Sequence, residues 1–132
     1  MAKSDLPDEV IRFITESIES VEQLEILLLL HRQSGRAWSA EAVAKELRIA
    51  AKSAGERMEE MVHDGLLVRR GGSPEEYQYG PETPALEERV RGLAAEYAMR
   101  RVTVVNLIYS KPVDKIRTFA AAFRFGKDDD NG

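Results

Sequence analysis

The chain contains no cysteine, so disulfides, thiolate metal sites and a cysteine nucleophile are excluded. Histidine is scarce: His31 and His63 stand alone, in no two-histidine helical motif, and give no basis for a metal site. Nor does any motif place a histidine base beside Ser53 or Ser110. A glycine-rich phosphate loop is missing too, because GGSP at Gly71 to Pro74 lacks the length and the lysine. The most apolar run, LEILLLL at Leu24 to Leu30, is much too short to cross a bilayer, and MAKSDLPDEV has no apolar stretch of signal-peptide type. The expectation is a cytoplasmic protein that is not an enzyme and carries no cofactor or metal.

What is present describes one globular domain. The 132 residues are 43% hydrophobic and 32% charged, enough for a real core and too few for a separate sensor domain. The net charge of −4 conceals a polarity along the chain. Residues 1–50 hold six basic and nine acidic side chains, residues 51–66 two and four, and residues 100–127 seven and one. The C-terminal quarter is therefore the surface suited to a polyanion.

Helical signals come first. Val10, Ile11, Ile14 and Ile18 recur at helical spacing from about Pro7 to Glu19. Ser20 and Gln23 form an S-x-x-Q capping box opening a second helix, apolar on nearly all sides, that stops at Ser34-Gly35. Ala37-Trp38 is a short extended piece. Ser39 then caps a third helix with Ala40, Val43, Ala44 and Leu47 on one face. A turn at Ile49-Ala50 leads to a fourth helix whose buried face is Ala54, Met58, Met61 and Val62, closed by Gly65. Leu66 to Arg70 and Glu76 to Tyr79 read as two strands joined by the Gly71 to Pro74 turn. Ala85 to about Ser110 is compatible with one long helix, with a strand or a kink near Thr103 left open by its β-branched residues. After Lys111-Pro112 a last amphipathic helix carries Val113, Ile116, Phe119, Ala120 and Phe123 on one face, and GKDDDNG is a disordered tail.

The segment WSAEAVAKELRIAAKSAGERMEEMVHDGLLVRR resembles the winged helix-turn-helix superfamily. Ala44 stands at the small residue where two helices cross, Leu47 and Ile49 close the turn, Ala54, Met58 and Met61 are core positions of the following helix, and Gly65-Leu66-Leu67 leads into the wing. The resemblance covers about Ser20 to Pro81, and the helices on either side give a layout similar to that of MarR-type regulators, which dimerise through their terminal helices. The wing, GGSPEEY, is short and acidic where those regulators carry a longer one with an aspartate and several arginines. The expected fold is mainly α, a winged helix-turn-helix with a small β-hairpin wing and flanking N- and C-terminal helices. It forms one domain over 1–126, with its winged core at about 20–81, its C-terminal helices at about 83–125, and a tail at 127–132.

What the resemblance implies is a homodimeric regulator of transcription that contacts double-stranded DNA. The recognition helix would be Ala51 to Gly65, with Lys52, Ser53 and Arg57 facing the groove and Arg69 and Arg70 reaching from the wing. On alternating strand geometry the two wing arginines point to opposite faces. Against this stand Glu56, Glu59, Glu60 and Asp64, which oppose entry into a phosphate-lined groove. At the wing, the alternative to a phosphate contact is pairing of Arg69 and Arg70 across the hairpin with Glu75 and Glu76. For the whole chain the alternative is a winged-helix adaptor that binds protein and no nucleic acid. The dimer seam is expected from Val105, Leu107, Ile108, Ile116, Phe119 and Phe123. The same basic C-terminal helix offers a docking element for another protein, and a membrane surface is the least favoured partner.

Overall fold

The computed structural model describes residues 6–110. The expected last helix, with Ile116, Phe119 and Phe123, and the 127–132 tail lie outside the described residues. Within them are six helices and a small three-stranded antiparallel sheet: α1 (Asp8–Ser17), α2 (Val21–Arg32), β1 (Trp38–Ser39), α3 (Ala40–Leu47), α4 (Ala51–His63), β2 (Leu67–Gly71), β3 (Glu76–Tyr79), α5 (Pro84–Met99) and α6 (Arg101–Tyr109). No helix among the described residues is long and apolar enough to cross a membrane.

The core is organised around α2, where Leu24, Ile26, Leu27, Leu29 and Leu30 are all fully buried. Each such side chain contributes roughly 1.5–3 kcal/mol by leaving water. Ser20 caps this helix, its Oγ accepting the Gln23 N–H at 3.0 Å. Gln23 is itself buried, and its Oε1 accepts the Glu19 N–H while its Nε2 donates to the Ser17 carbonyl. The reciprocal half of the capping box thus falls one residue earlier than the pattern implies, and it fastens the end of α1 to the start of α2.

Ser39 likewise caps α3 through the Ala42 N–H. The α3–α4 turn is made by Arg48, in left-handed conformation at φ 62° and ψ 48°. It is the one non-glycine residue with positive φ among those described, a region where an L side chain is crowded. Ala54, Met58 and Met61 form the buried face of α4, with Val62 half-buried beside them. Gly65 ends it at φ +83°, with its own N–H bonded to the Val62 carbonyl and the Leu66 N–H to the Met61 carbonyl. That pair of bonds is the Schellman closure, and a Cβ here would also collide with the Glu82 side chain.

The sheet has the order β1-β3-β2, so β3 is central. Trp38 and Arg69 both lie opposite Tyr77 on either side of it, and Leu67 lies opposite Tyr79. Arg69 faces Tyr77 while Gly71 faces Glu76, which leaves Arg70 as the extra residue of a bulge. Simple alternation between Arg69 and Arg70 therefore does not hold.

The long helix expected from Ala85 is interrupted at Arg100, whose φ of −132° and ψ of 54° leave the helical region. No strand forms there. The break precedes the β-branched run from Val102 to Val105, where helix propensity is low, and both pieces pack against α1. Turning at Arg100 is what brings Val104 and Ile108 into the core after Val90 and Leu93.

Candidate functional site

The exposed side of α4 and the adjoining hairpin are the region in which Lys52, Ser53, Arg57, Arg69 and Arg70 were expected to act together. They separate into two groups. With Ala54, Met58 and Met61 turned inward, helical geometry places Lys52, Glu56, Glu60 and His63 outward, with Ser53 and Arg57 on one flank and Glu59 on the other.

On the first flank, Glu22 of α2 holds both neighbours. Its Oε1 accepts from the Ser53 hydroxyl and from Arg57 Nε, the latter at 3.2 Å. Arg57 Nη1 also reaches Glu60 at 3.4 Å, so its guanidinium lies between two carboxylates from different helices. Burial works against the charge of Arg57, but the bonds to Glu22 and Glu60 outweigh it and hold the group above its ordinary pKa. On the second flank, Glu59 accepts from Nε and Nη2 of Arg69 and from the hydroxyl of Tyr77. The bonds from Arg69 and then Tyr77 draw the Glu59 carboxyl below its usual range, and they pin the β2–β3 hairpin to α4. Burial, reinforced by donation to Glu59, pushes the Tyr77 phenol up to about 12.

Among the described residues neither hairpin arginine forms an ion pair with Glu75 or Glu76, the alternative open from the sequence. Arg69 turns back to Glu59, and Glu75 accepts the Gly71 N–H at 2.6 Å across the turn. Lys52 and Arg70 remain exposed with no hydrogen-bond or ion-pair partner among the described residues, and so do Lys45 and Arg48 at the α3–α4 turn. Sequence reasoning did not single out Lys45 or Arg48. Their one legible signal was spacing, since Lys45, Arg48 and Lys52 straddle a turn that brings helix end and helix start together. Nearby, the Arg36 guanidinium lies 3.7 Å over the Trp38 ring, a cation–π contact that still leaves its charge at the surface. Arg12, Arg32 and Arg89 also have no ion pair among the described residues, but they lie on three separate helices.

Both histidines are placed in different surroundings. His31 packs edge-on against Tyr79, ring centroids 5.0 Å apart. His63 lines a cleft of about 270 Å³ with Glu19, Gln23, Glu60 and Asp64. Burial, opposed by His63 and assisted by Glu60, raises the Asp64 carboxyl above its ordinary value. Among the described residues no group of three or more His, Asp or Glu is placed to hold a metal ion.

The residues expected at a self-association seam also divide. Ile108 is buried in its own chain's core, Leu107 packs half-buried against that core, and Val105 is half-buried. The apolar side chains that face outward are instead Met99, Val102 and Tyr109, each about two-thirds exposed at 67%, 70% and 68%. Val102 and Tyr109 are seven residues apart on one face of α6, and Met99 closes α5 just before the break at Arg100. On the opposite side Tyr97 donates to Glu25 of α2 at 2.8 Å and Arg101 joins the same oxygen at 3.1 Å, which anchors the α5–α6 junction to the core.

In comparisons with known proteins, no family model, no curated protein and no solved structure matches the chain.

Proposed function

We propose that the chain is a cytoplasmic winged-helix regulator that binds double-stranded DNA as a homodimer. The observation that carries this reading is the arrangement of the helix pair α3–α4 beside a β1-β3-β2 sheet, with Lys45, Arg48 and Lys52 at the turn and Arg70 on the hairpin having no side-chain partner among the described residues. Exposed cations without carboxylate partners are the groups that can exchange counterions for phosphates. Contact then comes from the turn and the wing tip. Ser53, Arg57 and Arg69 brace α4 against α2 and the sheet. The outward apolar stripe Met99, Val102 and Tyr109 supports a two-fold seam, which would set two α4 helices roughly 34 Å apart on successive turns of the duplex. A few cations per subunit then act in two copies.

A second reading, a protein-binding adaptor, is favoured by one observation: the outward face of α4 carries Glu56 and Glu60, and both Arg57 and Arg69 are neutralised. Fluorescence anisotropy of labelled genomic DNA fragments separates the two. The regulator reading requires binding that weakens steeply between about 50 and about 200 mM salt. Binding that is absent, or indifferent to salt, selects the adaptor.

A further inference from the structure

We infer that Glu22, on α2, limits the strength of nucleic-acid contact by holding the two α4 side chains best placed to extend it. This rests on the DNA-binding reading above. Glu22 is separated from Ser53 and Arg57 by 31 and 35 residues, so the contact is made by the packing of α2 on α4 and not by local helix spacing. One carboxylate oxygen takes both donors. Ser53 and Arg57 are on consecutive turns of α4, on the flank next to the outward face that carries Lys52. The Arg57 side chain is 30% exposed and that of Glu22 27%, which puts the clasp at the surface, where a rotamer change frees the guanidinium without opening the core. With Glu22 in place Arg57 lies between two carboxylates, and the cluster presents a net negative charge to a polyanion. With Glu22 withdrawn that excess is removed, and the Arg57 guanidinium, tied only to the half-exposed Glu60 of its own helix, and the Ser53 hydroxyl are released from α2.

The second tie on Arg57 does not substitute for the first. Glu60 lies one turn along the same helix at 3.4 Å and is about half exposed, so it follows Arg57 wherever α4 goes, whereas Glu22 draws the guanidinium toward α2. Glu22 is thus a positioning residue, which sets where the Arg57 charge sits and touches no nucleic acid itself.

The test is a double-mutant cycle between Glu22 and Arg57, read by duplex-DNA affinity at two salt concentrations on the full chain. E22Q keeps an oxygen that accepts from Ser53 and Arg57, so the fold is retained while the charge of the clasp is lost. E22D keeps the charge and draws it back by one methylene, so a gain in E22D cannot come from net charge. Both should bind about tenfold more tightly than the wild type, with a salt slope steeper by about two, one Arg57 in each subunit of the dimer. R57A should cost at most about threefold in the wild type but about tenfold in the E22Q background, returning the double variant to wild-type affinity. Thermal melts of each variant show that it is folded. Equal effects of R57A in both backgrounds, or no gain in either Glu22 variant, overturn the inference while leaving DNA binding intact. Salt-dependent binding absent from the wild type and from every variant overturns the regulator reading and the inference together.

Discussion

Arg57 and Lys52 lie on the same helix, and Arg69 and Arg70 are neighbours on the same strand, yet each pair divides between a bound and an unbound cation. Arg57 and Arg69 sit on the flanks of α4, where a carboxylate from α2 or from α4 itself is within reach. Lys52 heads the outward face and Arg70 is the extra residue of a bulge, and neither meets an acid among the described residues. A residue's distance from the seams of the fold, more than its charge or its place in a motif, decides whether its charge is spent inside the molecule or presented to a partner.

Breaking the self-association that would double the unpaired set should have the largest effect. V102D combined with Y109D places charge in the stripe and removes the burial of two large side chains, roughly 1.5–3 kcal/mol each. Sedimentation should show a wild-type dimer and a folded, monomeric variant, since neither residue belongs to the core. DNA affinity should fall with it. An unchanged sedimentation coefficient would mean that this stripe is not the seam.

The bound cations can be sharpened through Glu59. Its carboxyl is depressed by Arg69 and then Tyr77 from an ordinary value of 4.5. The stabilisation is therefore present above that value and lost as pH falls through the lower value of the folded state. The pair is exposed, so solvent screening keeps its worth small. E59Q should melt slightly lower at neutral pH and lose less of its stability than the wild type as the pH is taken below 4.5. The same substitution removes the charge that assists in raising the Tyr77 phenol to about 12, so absorbance titration should show one tyrosine ionising earlier. Its burial keeps it above the ordinary value of 10.0.

The smallest effect concerns the unbound set. Arg48 holds a left-handed conformation at φ 62° that glycine adopts freely, so R48G should raise stability by roughly 0.5–1 kcal/mol in thermal melts. If Arg48 meets a phosphate, the same variant should bind DNA more weakly. Stability and affinity moving in opposite directions would separate a contact residue from a structural one.

Much of the scaffold was legible because its signals are local. Ser20 and Ser39 as caps, Gly65 as a helix end, the all-round burial of α2 and the buried faces of α3 and α4 depend on residues three or four apart. The site was legible only as a list of residues. The ties of Glu22 to Ser53 and Arg57, and of Glu59 to Arg69 and Tyr77, join residues from 10 to 35 positions apart. Which carboxylate meets which cation follows from packing that no spacing rule encodes. The bulge at Arg70 misled for the same reason, because alternation holds only while the register does. At α6, apolar character alone could not tell Ile108, which faces its own core, from Val102, which faces out.

On the proposed reading the unbound cations, and not the bound ones, carry DNA contact, and salt slopes compare the two sets directly. K52A/R70A removes two unbound cations, while E22Q/R57A and E59Q/R69A each remove a bound cation together with its acid and leave net charge unchanged. The slope of log affinity against log salt should fall by about four in K52A/R70A, two cations in each of two subunits, and stay at the wild-type value in the other pair of variants. A slope that is unchanged in K52A/R70A, or that falls equally in all three, would contradict it.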